Sequence, residues 1–127
     1  MGASGAGKTT LLNTIANVKI SDFKVSGSVL VDSKNYGKDI KNLSAYVQQD
    51  DMFFGQLTAR EHLLFNAIMY GLGSEAEARV DEMIKYMNLE PFKNTKIGTA
   101  RDGYNLSGSE RKRLSFASRT LIKVAVL

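Results

Sequence analysis

Residues 2 to 9 read Gly-Ala-Ser-Gly-Ala-Gly-Lys-Thr and fit the pattern G-x-x-x-x-G-K-[ST]. Few patterns restrict a fold as strongly, because this one demands a glycine-rich turn that opens directly into a helix. The glycines let successive backbone N–H groups aim at one point with no side chain between them, and the helix adds partial positive charge at its N-terminus. Phosphate groups fit such a loop. Lys8 would reach phosphate oxygens as a mobile point charge, and the Thr9 hydroxyl would sit on a bound magnesium ion. The plainer reading is that Gly2, Gly5 and Gly7 mark a flexible terminus. Against it, Leu11, Leu12, Ile15 and Ala16 follow at helical spacing, which predicts a helix with an apolar face. A buried strand normally precedes such a loop, and here Met1 alone precedes Gly2.

Further along, residues 25–32 alternate small, polar and β-branched residues and predict an antiparallel strand. Asn35, Tyr36 and Gly37 predict a turn, residues 38–42 a polar connection, and residues 43–49 a short strand ending in Gln48 and Gln49. Two carboxylates, Asp50 and Asp51, come next. Thr58 with Glu61 forms a capping-box pattern that opens a helix to Tyr70, with Leu63, Leu64, Ala67 and Ile68 as its apolar stripe and Gly71 and Gly73 as its stop. Ser74 with Glu77 predicts a second helix to about Met87, with Val80, Met83, Ile84 and Met87 inward and Glu75, Arg79, Glu82 and Lys85 outward. Residues 92–105 read as a polar connection after the single proline, Pro91. Ser107 with Glu110 predicts a third helix, from about Gly108 to Ile122, with Leu114, Ala117, Leu121 and Ile122 on one side. The final residues, 124–127, predict the start of a buried strand.

Charge and composition mainly exclude. With 43% hydrophobic and 24% charged residues over 127 positions, the chain fits one globular domain or part of one. No apolar run approaches the roughly 20 residues that cross a bilayer, and no secretory signal layout opens the chain. The absence of cysteine removes disulfides, thiolate metal sites and cysteine nucleophiles, and suits a reducing compartment. A formal charge of +4 raises the question of nucleic acid, but only Arg111, Lys112 and Arg113 form a basic run and no aromatic residue interleaves with them. No nucleic-acid partner is expected. His62, the single histidine, falls inside a predicted helix and reads as a packing or surface residue with no site role.

Residues 106–113, Leu-Ser-Gly-Ser-Glu-Arg-Lys-Arg, form a second small-residue turn at a helix start. By itself this is most simply a well-capped helix. Taken in order with the glycine loop and with Ala-Tyr-Val-Gln-Gln-Asp-Asp at 45–51, Leu-Thr-Ala-Arg-Glu-His-Leu at 57–63 and Ser-Gly-Ser-Glu-Arg-Lys-Arg-Leu-Ser at 107–115, it resembles the nucleotide-binding domain of ABC transporters. The chain looks most like the G subfamily of half-transporters, with Ile97-Gly98-Thr99 suggesting the insect eye-pigment branch. The resemblance covers residues 2 to about 118.

The resemblance implies an α/β fold: an incomplete P-loop NTPase core with antiparallel β strands at about 1–50, and an α-helical subdomain at about 56–122. It implies ATP and Mg²⁺ as ligands. Gly2, Ala3, Ser4, Gly5, Ala6, Gly7, Lys8, Thr9 and Thr10 would bind the phosphates of one ATP, with Thr9 and Gln49 on the metal and Gln49 also sensing the attacking water. Ser107, Gly108, Ser109 and Glu110 would meet an ATP held by a second nucleotide-binding domain, head to tail in a homo- or heterodimer. Residues 50–55 would lie near the transmembrane domain of the same transporter, placing the ATP-binding part on the cytoplasmic side of a membrane. Ser109 stands where the family usually has a second glycine, adding a Cβ and a hydroxyl where backbone meets phosphate. The preceding strand, the acidic strand end that holds magnesium and the later histidine have no counterpart in the sequence, so the chain resembles a domain truncated at both ends and is expected to show little turnover alone.

Two other readings stay open. A stand-alone P-loop kinase or GTPase-like enzyme would need its own magnesium carboxylate, for which Asp50 and Asp51 are the candidates. A non-catalytic fragment that pairs with intact subunits would need neither.

Overall fold

The computed structural model describes residues 2–18, 24–48, 52–101 and 103–121. They fall into two compact units, one from residues up to Tyr46 and one from Val47 onward. Helices and small antiparallel sheets make up both. The strand expected at 124–127 and the position of Ile122 lie outside the described residues.

In the first unit, helix α1 runs Lys8–Ile15. It closes where Asn17 turns to φ 51°, with the Asn17 and Val18 N–H groups donating to the carbonyls of Thr14 and Asn13. Its apolar face is open: Leu11 and Leu12 are exposed and no residue of α1 is buried. The strand expected over 25–32 shrinks to β1, Leu30–Val31, paired antiparallel with β2, Lys34–Asn35. The hairpin reverses at Asp32 and Ser33, whose φ values of 49° and 64° give the two left-handed residues of a tight turn, and the turn expected at residues 35–37 follows it, with the Gly37 N–H donating to Asn35 Oδ1 at 2.9 Å. Gly37–Asp39 is a 3₁₀ turn and Ile40–Leu43 a short helix, α2, where a polar connection was expected. The side chain of Ile40 is buried, which is what that turn of helix accomplishes. Leu43 therefore belongs to a helix, and residues 45–48 to no strand.

The second unit is organised around helix α3, Ala59–Met69, which packs against both α4, Ala76–Tyr86, and α5, Gly108–Thr120. Ala59, Leu63 and Ala67, spaced four apart, form one ridge of α3 and are fully buried. They meet Val80, Met83 and Ile84 of α4, Leu114 and Ala117 of α5, and Leu89, Ile97, Leu106 and Leu121 from the connections. Ile68, placed in the stripe by sequence, is exposed. Arg79, assigned to the outer face of α4, is half-buried because its guanidinium reaches the far end of α5, donating from Nε to the Leu121 carbonyl at 2.9 Å.

Two of the three expected capping boxes form. Thr58 Oγ1 accepts from the Glu61 N–H while the Glu61 carboxylate accepts from the Thr58 N–H, and Ser107 with Glu110 does the same at α5. The Thr58 backbone N–H, then its hydroxyl, hold the Glu61 carboxyl below the usual carboxylate range. At α4 the box fails. Gly73–Glu75 is a 3₁₀ turn, so Ser74 lies inside a turn rather than at the helix boundary and Glu75 takes the N-cap position without a side-chain bond. Residues 92–105 also hold more order than expected: β3, Gly98–Thr99, pairs antiparallel with β4, Gly103–Tyr104, and Ile97 beside it is fully buried.

Candidate functional site

Helix α1 begins at a loop whose shape the glycines set. Gly5 and Gly7 both hold φ 81°, in the left-handed region that suits glycine, and Gly7 is the N-cap residue of α1. No side chain caps this helix. The first helical N–H with a partner among the described residues is that of Leu11, which donates to the Gly7 carbonyl at 2.9 Å. Those of Lys8, Thr9 and Thr10 are left to solvent or a ligand. Lys8 folds back so that its Nζ donates to the carbonyls of Gly2, at 2.7 Å, and Ala3, at 2.6 Å. An ammonium has three donors, so one remains for an anion at the helix start.

The starts of α1, α3 and α5 differ in how far their first-turn N–H groups are satisfied. At α3 the N–H groups of Ala59, Arg60 and Glu61 go to the carbonyls of Thr95 and Lys93 and to Thr58 Oγ1. Nothing is left over. At α5, among the described residues, only the Glu110 N–H is taken, by Ser107 Oγ, so those of Gly108 and Ser109 have no partner there. The hydroxyls of Ser107 and Ser109 lie 3.1 Å apart and hydrogen-bond each other. Position 109 is exposed, so its side chain stands on open surface. Arg111, next along, is fixed from two sides: its Nη1 donates to the Leu106 carbonyl at 2.9 Å, and its guanidinium lies 3.8 Å over the Tyr104 ring.

Residues 2–10 thus form one candidate anion site in the first unit, and Ser107, Gly108, Ser109 and Glu110 another in the second. Gln49, the candidate for metal and water, lies outside the described residues, as do Asp50 and Asp51. In the first unit, Tyr46 donates its hydroxyl to Asn13 Oδ1 of α1, joining the segment that leads toward residue 49 to the glycine-loop helix.

His62, a packing or surface residue by its sequence context, is packed: only 4% of it is exposed. Its ring contacts Phe53 edge-on at 5.2 Å between centroids. Asn66 Nδ2 donates to the His62 carbonyl at 2.7 Å and lies 3.2 Å from His62 Nε2. An amide nitrogen only donates, so Nε2 accepts and the neutral ring carries its proton on Nδ1. That Nδ1 is buried without a hydrogen-bond partner among the described residues. Leaving such a donor unsatisfied costs about 1–3 kcal/mol. His62 lines a cleft of about 140 Å³ together with Gln48, Phe54, Ser115 and Arg119. No sequence signal marked this cleft, because its residues come from parts of the chain some seventy positions apart.

Burial pushes the His62 pKa down to about 4. The unfolded chain, with an ordinary value near 6.5, takes up this proton first on acidification, so stability falls as pH drops from about 6.5 to about 4. That interval corresponds to about 3 kcal/mol. In His62→Phe the acid-side loss of unfolding free energy, measured by denaturant melts at stepped pH, is expected to shrink by that amount; an unchanged acid limb would refute it.

Comparison with known proteins gives these sites a context. A family model described as "ABC transporter" matches residues 1–127. Among curated proteins, the "ABC transporter ATP-binding protein/permease wht-1" of Caenorhabditis elegans is 42% identical over 127 residues, covering 95% of this chain and 19% of its own length. "Protein white" of Drosophila melanogaster is 44% identical over 128 residues, with 95% and 19% covered. "Protein scarlet" of the same fly is 39% identical over 131 residues, with 100% and 20% covered. The chain spans about a fifth of the length of these relatives.

Proposed function

Because the chain belongs to the ABC transporter family, with relatives among its G-subfamily half-transporters, we propose that it is ATP-binding machinery of a membrane transporter. The observation that carries this reading is the contrast between helix starts: α3 satisfies its own N–H groups, whereas α1 and α5 leave theirs open beside small residues. Residues 2–10 grip the triphosphate of one ATP, Lys8 adding a point charge and the first-turn N–H groups a directional cradle. Thr9 and Gln49 would hold Mg²⁺, which would offset phosphate charge. Gln49 also orients the attacking water. In this reading these residues belong to a P-loop core, and residues of about 56–122 to a helical subdomain.

Ser107, Gly108, Ser109 and Glu110 act on the ATP of a second nucleotide-binding domain, arranged head to tail. Charge that spreads over the transferred phosphoryl group is met by hydroxyls and N–H groups already in place. Glu110 takes part indirectly, since its carboxylate is committed to the Ser107 N–H and keeps the turn in shape. Ser109 bonds to the Ser107 hydroxyl and holds it beside the open N–H groups. Residues 1–127 taken alone bind nucleotide and turn it over poorly, because each phosphate site needs a partner's serine turn. The intact protein uses hydrolysis to drive transport through its transmembrane domain. The face around residues 52–55 meets that domain, and the ATP-binding part lies on the cytoplasmic side. No helix among the described residues is long and apolar enough to cross a membrane.

Ser107→Ala in the intact protein tests the division of labour. ATP binding is expected to stay near wild type, while ATP-dependent pairing is lost and hydrolysis falls about a hundredfold. Thr58→Ala removes an equivalent cap at α3 and is the control for simple loss of a helix cap. Pairing that ignores Ser107→Ala would sink the assignment of residues 107–110.

A further inference from the structure

We propose that Arg111 and Tyr104 are positioning residues of the serine turn: Arg111 fixes the peptide unit that enters Ser107, and the Tyr104 ring holds the Arg111 side chain where it can do so. That the turn meets nucleotide rests on the function proposed above. The peptide unit between Leu106 and Ser107 is gripped on both edges by side chains from the first turn of α5. Its carbonyl accepts from Arg111 Nη1 at 2.9 Å, and its N–H donates to the Glu110 carboxylate at 2.7 Å. A planar unit bonded through both of its dipolar groups cannot swing about its flanking bonds. The directions of the Ser107 side chain and of the Gly108 and Ser109 N–H groups are set with it. Leu106, 1% exposed, roots the unit in the core.

Helix α3 shows how an ordinary cap is closed at the same place. It has the same kind of box, Thr58 with Glu61, but the carbonyl that corresponds to Leu106, that of Leu57, accepts from the backbone N–H of Ile97 at 3.0 Å. At α5 a side chain makes this closure instead. Stability does not explain the choice of arginine, since a cation in the first turn opposes the helix dipole. Tyr104 of β4 keeps it there, with its ring centre 3.8 Å from the guanidinium carbon while 44% of the residue is exposed. A cation that costs the helix yet clamps its entry is accounted for when the turn must hold its donors in one direction for an anion.

The test uses the intact protein and reads ATP affinity, ATP-dependent pairing and kcat of hydrolysis. Arg111→Gln is expected to weaken pairing and lower kcat about tenfold, as loss of a hydrogen bond from a charged group does, with ATP affinity unchanged. Tyr104→Leu, which removes the stack, should cost about fourfold, and Tyr104→Phe, which keeps the ring, nothing. The Arg111→Gln and Tyr104→Leu changes together should do no more than Arg111→Gln alone. Thr58→Ala, which loses a cap at α3, should leave pairing near wild type. Equal losses in Tyr104→Phe and Tyr104→Leu, or a loss of pairing in Thr58→Ala as large as in Arg111→Gln, would overturn the proposal. So would a strong Arg111→Gln effect beside a silent Tyr104→Leu, because Arg111 would then act on nucleotide directly. If Ser107→Ala weakens pairing while Arg111→Gln and Tyr104→Leu do not, positioning alone falls; if Ser107→Ala is silent as well, the reading of the turn falls with it.

Discussion

Lys8→Ala should weaken ATP binding to the intact protein by at least about a hundredfold, the size expected when a cation bonded to phosphate is removed. The fold should not notice. Lys8 is exposed, and its two hydrogen bonds, to the carbonyls of Gly2 and Ala3, lie within the loop itself. An unfolding midpoint near wild type beside lost binding therefore separates a phosphate contact from a structural one. Lys8→Arg keeps the charge but replaces a compact ammonium with a planar fork, and should recover only part of the affinity. Equilibrium titration with a fluorescent ATP analogue reads all three proteins. Wild-type affinity in Lys8→Ala would remove residues 2–10 from the nucleotide site.

Gly98→Ala should be the most damaging small substitution in the second unit, lowering unfolding free energy by about 3–5 kcal/mol. Two costs add. Gly98 holds φ 82°, where an L side chain is strained, and its Cβ would run into the Gly103 carbonyl oxygen and the Tyr104 and Asn105 backbone. None of those atoms ends a flexible side chain, so the β3–β4 pair must open. Gly55 is crowded too: the Gly98 N–H donates to its carbonyl at 3.0 Å, and a Cβ added at Gly55 would run into the Gly98 carbonyl oxygen. Gly103→Ala is the matched control: φ is 89°, yet nothing lies within 4 Å of a Cβ there, so only the conformational cost of about 1–2 kcal/mol applies. Denaturant melts of the two variants should differ by at least about 2 kcal/mol; equal losses would show that strain alone decides. Because this pair leads into Leu106 and Ser107, Gly98→Ala should also loosen the α5 turn.

What could be read from sequence was what local chemistry determines. The boxes at Thr58 and Ser107 depend on a side chain and a backbone group three residues apart, and both form. Ser74 offers the same letters, but the 3₁₀ turn beginning at Gly73 moves it off the helix boundary, and the box is absent. Val80, Met83 and Ile84 were placed correctly by period, as were Leu63, Leu114 and Ala117. Period could not tell that Ile68 falls on the edge of α3 that no other element covers, or that Leu11 and Leu12 stay open. The short strands were illegible in a different way: two-residue ladders such as Gly98–Thr99 with Gly103–Tyr104 contain too few residues to show alternation. Of the candidate site, the glycine loop and serine turn were visible as motifs, whereas the His62 cleft depends on which distant residues the fold brings together.

The arginines of α4 and α5 have a mechanical consequence. Arg79 of α4 donates to the Leu121 and Thr120 carbonyls at the end of α5, and Arg113 of α5 donates to the Asn88 carbonyl just past the end of α4. Each helix is thus pinned at its negative end by a charge from the other. Two fasteners at separated points resist twisting as well as sliding, which one could not do.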